Sequence, residues 1–153
     1  MQNKVNIMPD KTFWEVIDLI QLDADEPLEE AMEKLLSFSE EQIEQFEETL
    51  SRKLYNLDTK KHADGMSKSV IDGEEYFSPD FFLYVRCLCV AKGKEFYEAC
   101  LKDPSLMQGI DYEYEFEELL ELASEAYEEK TGHEMDYIPY FDYETYSNEK
   151  GWE

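Results

Sequence analysis

The chain has 153 residues, 14 Lys and Arg against 38 Asp and Glu, and a net charge of −24 with both histidines neutral. Such a balance disfavours direct attachment to nucleic acid phosphates, which proteins normally neutralise with Lys and Arg, and to an anionic membrane leaflet. The length suits one domain of roughly 100–200 residues, and 42% hydrophobic with 14% aromatic residues can build a core.

The first pattern is Phe13, Trp14, Ile17 and Ile20 behind Asp10. Apolar positions at i, i+3 and i+4 after a capping Asp predict a helix over about residues 11–22. An acidic break from Asp23 to Glu26 ends it, and Pro27 suits the first turn of a second helix because its missing N–H has no intrahelical partner there. Leu28, Ala31, Met32, Leu35 and Leu36 form that helix's inner face. Ser39 and Gln42 have capping-box spacing, opening a third helix with Ile43, Phe46, Leu50, Leu54 and Leu57 inside. From Asp58 to Ser78 the periodicity lapses around Gly65 and Gly73, so the longest irregular connection is expected there. With Arg52 and Lys53 before it and Lys60, Lys61 and Lys68 within it, this stretch is locally positive.

Ser78-Pro79-Asp80 is a helix start, and the following FFLYVRCLCVAK is apolar almost all round, the mark of a helix enclosed by others. Gly93 ends or interrupts it before Phe96, Tyr97, Cys100 and Leu101 resume helical spacing, and Asp103-Pro104 closes that unit. In DYEYEFEELLELASEAYEEKTG, Tyr112, Tyr114 and Phe116 alternate with glutamates before Leu119, Leu120, Ala123 and Tyr127 turn helical. The alternation reads as a helix lead-in, since a lone strand leaves its backbone unpaired, with a small hairpin kept open as the alternative. Thr131-Gly132 is the expected stop. The fold expected is all-α, a single-domain bundle of about five to seven helices over residues 1–132 with an aromatic, acidic C-terminal arm over 133–153. No repeat of 20–50 residues is visible.

Several of these segments together resemble the small bacterial family called domain of unknown function four-two-four-zero. The resemblance runs over about residues 12–132 and rests on Phe13-Trp14 with Ile17, the run from Asp80 through Phe82, Tyr84, Arg86 and Ala91 to Gly93, Lys94 and Tyr97, Asp103-Pro104 with Leu106, and the closing FEELLELASEAYEEKTG. It implies a mostly helical fold and offers no activity.

Catalytic chemistry finds little purchase. His62 and His133 read as solvated loop residues, and the spacing of Cys87-Leu88-Cys89 fits neither zinc nor redox sites, so Cys87, Cys89 and Cys100 read as inert buried thiols. No phosphate-binding, nucleophile-elbow, zincin or EF-hand motif occurs. No catalytic residue, metal or cofactor is therefore assigned, and the chain is not expected to be an enzyme.

Carboxylate pairs such as Glu29-Glu30, Glu40-Glu41, Glu47-Glu48 and Glu128-Glu129 are expected on outward helical faces. Nine of the nineteen residues from Asp111 to Glu129 are acidic before Lys130 intervenes. Like charges at i, i+4 destabilise a helix by a few tenths of a kcal/mol per pair, a burden that a cationic partner would relieve. Asp111, Glu113, Glu115, Glu117, Glu118 and Glu121 are thus candidate partner-binding residues. Tyr137, Tyr140, Tyr143 and Tyr146, repeating every third residue in the arm, are candidate interface anchors, unless the arm folds back and its rings complete the core.

The expectation is an acidic interaction module for a basic protein, most concretely an immunity protein or inhibitor that occludes a bacterial toxin such as a nuclease. A DNA mimic acting on a nucleic-acid-binding enzyme, or a housekeeping domain, are the alternatives. No apolar run approaches the ~20 residues of a membrane helix and no secretory h-region opens the chain, so the expected compartment is the cytoplasm.

Overall fold

The computed structural model describes residues 8–66, 69–71, 74–110 and 116–153. Its helices are α1 (Asp10–Ile17), α2 (Glu29–Leu36), α3 (Glu40–Asn56), α4 (Lys60–Gly65), α5 (Pro79–Ala91), α6 (Lys94–Lys102) and α7 (Leu122–Thr131). Three 3-10 turns, at Pro104–Gly109, Glu117–Glu121 and Glu149–Trp152, complete the helical content. Two short strands, β1 (Ser69–Ile71) and β2 (Glu74–Tyr76), pair antiparallel with Val70 opposite Glu75. The architecture is all-α with this one small hairpin among the described residues.

α5 is the centre, as its sequence predicts. Ser78 accepts the Phe81 amide at 3.2 Å and Pro79 occupies the first turn. Phe82, Val85, Cys87, Leu88, Cys89 and Val90 are then buried on every side. α3, α6 and the 3-10 turn 117–121 pack directly on α5, while α7 lies across α2 and α3. The capping box at α3 forms in both directions, Gln42 N to Ser39 Oγ at 3.2 Å and Ser39 N to Gln42 Oε1 at 2.9 Å. Gly93 ends α5 rather than interrupting it. Its φ of 105° lies where a Cβ is strained, and the chain reverses there into α6.

Three expectations are corrected. α1 stops at Ile17, not near residue 22, because Leu19 and Ile20 donate to Val16 and Ile17 in a tightened turn, and Gln21 donates to the Pro27 carbonyl. α2 begins at Glu29, leaving Pro27 before the helix. The stretch after Asp58 is not one irregular connection. Thr59 accepts the His62 amide at 3.0 Å and starts α4, and the β-hairpin follows. Gly65 belongs there for space, since a Cβ would stand 2.1 Å from the Pro104 carbonyl oxygen. The hairpin alternative placed over residues 112–116 falls mostly outside the described residues.

The arm lies along α3 and the end of α5, with Tyr143 and Trp152 packed on the core. No helix of the described residues is long and apolar enough to cross a membrane.

Candidate functional site

Two fully buried carboxylates on or beside α3 hold the arm. Glu48 accepts the Tyr137 hydroxyl and the Tyr140 amide (2.7 Å) on Oε1, and the Phe141 amide (3.2 Å) on Oε2. Asp58, just beyond α3, accepts the Tyr146 amide (3.1 Å) and Trp152 Nε1 (2.8 Å) on Oδ1, and the Asn148 amide (3.0 Å) on Oδ2, while the Ser147 hydroxyl beside it donates to the Asp142 carbonyl at 2.5 Å. Buried charge is tolerated when its lone pairs are filled in this way. Asp58 also draws Tyr146 into positive φ, 79°, a conformation that non-glycine residues seldom adopt.

Arg86 is the third member of this frame. It is wholly buried in α5, donates to the Leu54 carbonyl (2.9 Å) and to Thr145 Oγ1 (3.0 Å), and lies over the Phe82 ring. The Thr145 hydroxyl in turn donates to the Pro79 carbonyl at 2.7 Å. Burial pulls the Arg86 guanidinium down to about 10, although Asp58 pulls the other way.

The outward-face reading fails for Glu47 and Glu48, since both are buried. Glu47 falls four residues after Ile43 and three before Leu50, which puts it in the apolar stripe of α3. That spacing was the signal available for it. Arg86 had a plainer one, as the single cation in a helix whose other charge, Asp80, sits in its first turn. Asp58 had none.

The predicted partner-binding residues divide. Asp111, Glu113 and Glu115 lie outside the described residues. Glu117, Glu118 and Glu121 are exposed, and Glu117 and Glu121 line a cleft of about 250 Å³ together with Asp80, Tyr84, Tyr143 and Glu144. Leu83 and Leu120 make its apolar base. The cleft thus gathers four carboxylates from α5, the 117–121 turn and the arm around two tyrosine rings. Among the described residues none of the four has an ion-pair partner. Burial pushes the Tyr143 hydroxyl up to about 12, with Glu47 and Glu144 adding to it.

The other tyrosines are sorted by the arm's path. Tyr137 is half-buried on Glu48, Tyr140 is 73% exposed, and Tyr146, 51% exposed, packs edge-on against Trp152 at 4.6 Å. Ile138, beside them, is 86% exposed.

His62 is not a solvated loop residue. Its ring is buried between Thr59 Oγ1 (2.7 Å) and the Cys100 carbonyl (2.8 Å), and burial lowers its pKa. His133 is exposed. The three thiols are buried, with desolvation pushing Cys87 up to about 12. No group of three or more His, Cys, Asp or Glu among the described residues could hold a metal.

Residues that carry the resemblance stated above meet in a second polar knot. Trp14 Nε1 donates to Asp10 (3.2 Å), and Lys53 (2.7 Å) and Lys94 (3.8 Å) pair with it. Tyr97 donates to the Lys53 carbonyl at 2.7 Å. Burial pushes the Asp10 carboxyl up, but the two lysines outweigh this and hold it below its usual value. The locally positive stretch is similarly engaged, with Lys60 on Asp64 and Arg52 over the Phe141 ring. Lys68 lies outside the described residues.

A family model described as "Protein of unknown function (DUF4240)" matches residues 8–129. No curated protein matches the chain, and no solved structure does.

Proposed function

The chain belongs to the DUF4240 family of unknown function, and on that footing we propose that it is a non-catalytic acidic binding protein, an immunity-type inhibitor of a basic bacterial toxin such as a nuclease. The single observation behind this reading is the cleft in which Asp80, Glu117, Glu121 and Glu144 surround Tyr84 and Tyr143. Its walls come from the central helix, a 3-10 turn packed on that helix, and an arm pinned by buried carboxylates, so the groups are positioned before a partner arrives. Preorganisation lowers the entropy lost on binding. The net charge of −24 adds long-range attraction, which can lift association to ~10⁸–10⁹ M⁻¹s⁻¹ at low salt. Tyrosines at the cleft supply contact area at small conformational cost. Inhibition proceeds by occlusion: the acidic face covers the positive groove with which a nuclease holds its substrate. The site of action is the cytoplasm, where such a toxin would find nucleic acid.

The test uses two forms of the protein, native and Asp80→Asn/Glu117→Gln/Glu121→Gln/Glu144→Gln, each immobilised and exposed to lysate of the source cell at low salt. One basic protein should be retained by the native form in stoichiometric amount, released as salt rises past ~0.5 M, and lost from the variant. Expressed alone it should arrest growth, and co-expression of the native form should restore growth where the variant does not. Equal retention by both forms, or rescue by the variant, would refute the assignment of the cleft.

A further inference from the structure

On the far side of Tyr143 and Glu144 lies a second cleft, of about 270 Å³, between α3 and the arm. We propose that it receives a single arginine side chain of the basic partner, with the guanidinium entering beside Phe141 and Tyr143 to reach Ser51 and Glu47. The proposal rests on the reading of the partner as a basic protein and adds the residue by which that partner is gripped.

Two polar groups in this seam are buried without a hydrogen-bond partner among the described residues. One is the Ser51 hydroxyl, on a residue that lines the cleft and is wholly buried. The other is Glu47 Oε1, one turn earlier on the same face of α3, on a residue only 7% exposed. Glu47 lies close enough to Tyr143 and Tyr137 that its charge raises the pKa of both hydroxyls. Glu48, its neighbour in the chain, is by contrast saturated by three arm donors. Buried polar groups are normally satisfied, so the two orphans, one of them a carboxyl oxygen, mark where this seam lacks a hydrogen-bonding partner.

The rest of the lining defines that partner. Asp142 and Glu144 place two more carboxylates at the cleft, Phe141 and Tyr143 offer ring faces, and Ile138 and Pro139 supply apolar contact. A group that satisfies all of these is planar, cationic, rich in N–H donors and carried on an apolar stem. Arginine has that combination: its fork reaches several oxygens at once and its plane stacks on aromatic rings. Lysine brings the charge as a compact, strongly hydrated point with no plane to stack. The chain already uses this pairing, with Arg52 at 5.4 Å from the Phe141 ring centre and Arg86 at 4.7 Å from that of Phe82.

The test titrates the full-length protein, isotopically labelled, with the peptide acetyl-Gly-Arg-Gly-amide and follows its NMR spectrum. Saturable shifts are expected at Ser51, Phe141 and Tyr143, with the Glu47 side-chain carboxyl moving to its ionised position. The peptides with citrulline or lysine in place of arginine should bind about tenfold more weakly or less, as should native peptide to Glu47→Gln. Unchanged Tyr140 and Phe141 amide exchange in that variant shows that the arm is still docked, and Ser51→Ala supplies an independent variant. Equal binding of the citrulline peptide, undiminished binding to both variants, or no shift at these residues up to about 50 mM peptide would overturn the proposal. Shifts confined to Glu117, Glu121 and Tyr84 would overturn it too, while leaving the acidic binding module standing. Because the peptide assay needs no natural partner, failure to capture a toxin would leave its result intact.

Discussion

Glu48→Gln isolates the clamp on the arm, because glutamine keeps the shape of the side chain and removes its charge. Glu48 Oε1 receives two donors and Oε2 receives one, the Phe141 amide. The glutamine oxygen retains the Oε1 partners, which leaves its NH₂ facing the Phe141 N–H. One hydrogen bond to a charged acceptor, worth about 1.5–3 kcal/mol, is lost, and a donor left unsatisfied costs about 1–3 kcal/mol. The two terms overlap, giving about 3 kcal/mol for arm docking. Since 1.4 kcal/mol is a factor of ten, amide exchange through arm opening should accelerate about 100-fold at Tyr140 and Phe141. α5 amides should change far less, and the segment from Tyr146 to Trp152, held by Asp58 instead, should keep most of its protection. Hydrogen exchange read by NMR separates these regions, and brief chymotrypsin treatment should cut first at Phe141 or Tyr143. An acceleration below about threefold at Tyr140 and Phe141, or one spread evenly through α5, would refute the account of Glu48 as a local clamp.

Glu47 makes an opposite pH prediction to that of ordinary paired carboxylates. Burial, with Glu48 beside it, raises it from 4.5 to about 7, so between those values the native state holds a proton that the unfolded state has released. Stability from this group is therefore full below pH 4.5 and falls as pH rises towards 7. Glu47→Gln should gain roughly 2–3 kcal/mol on the native protein between pH 4 and pH 8, whatever the amide itself costs, and urea unfolding at the two pH values should show it; a constant difference would contradict the burial argument. Cys87 and Cys89 are buried and pushed up in pKa, so a thiol reagent at pH 8 should label neither in native protein and both in denaturant. Fast native labelling would contradict their placement. Gly65→Ala sets a Cβ against Pro104 backbone atoms at 2.1 and 2.7 Å, which should cost about 2–4 kcal/mol in a thermal melt, whereas a neutral result would show that α4 and the 104–109 turn separate freely.

The helical order was readable because capping chemistry and apolar spacing agree at the same places. Ser39 with Gln42, and Ser78 with Pro79, mark starts that local hydrogen bonds enforce. α4 escaped notice because it is six residues long, and its inward residues, His62 and Ala63, do not form an apolar stripe. Its burial comes from contact with the distant 104–109 turn, information that no local window contains. The candidate site shows the same division. Glu117, Glu121 and Tyr143 were legible by charge and aromatic patterning, but their meeting with Asp80, Tyr84 and Glu144 depends on the path of the arm. That path is set by Glu48 and Asp58, whose neighbours in sequence gave no reason to set them apart from the other acids.

The 38 acidic residues are therefore not one population. Glu48 and Asp58 are inside and saturated with donors, so they fix geometry and offer nothing to a partner. Asp80, Glu117, Glu121 and Glu144 share one cleft with no cation in its lining among the described residues, and their mutual repulsion is strongest when that cleft is empty. Added salt should then stabilise the unbound protein by screening them, because exposed charges about 8–10 Å apart interact appreciably at low ionic strength and weakly at 0.15 M. The Asp80→Asn/Glu117→Gln/Glu121→Gln/Glu144→Gln variant should lose a measurable part of that dependence, and neutralising four carboxylates elsewhere, Glu29, Glu30, Glu40 and Glu41, tests whether the cleft differs from the general surface. If both quadruple variants lose the same salt dependence of the melting temperature, the repulsion is spread over the molecule and the cleft has no electrostatic character of its own. A larger loss in the cleft variant is expected, since tertiary structure there brings together charges from three elements that are distant in sequence.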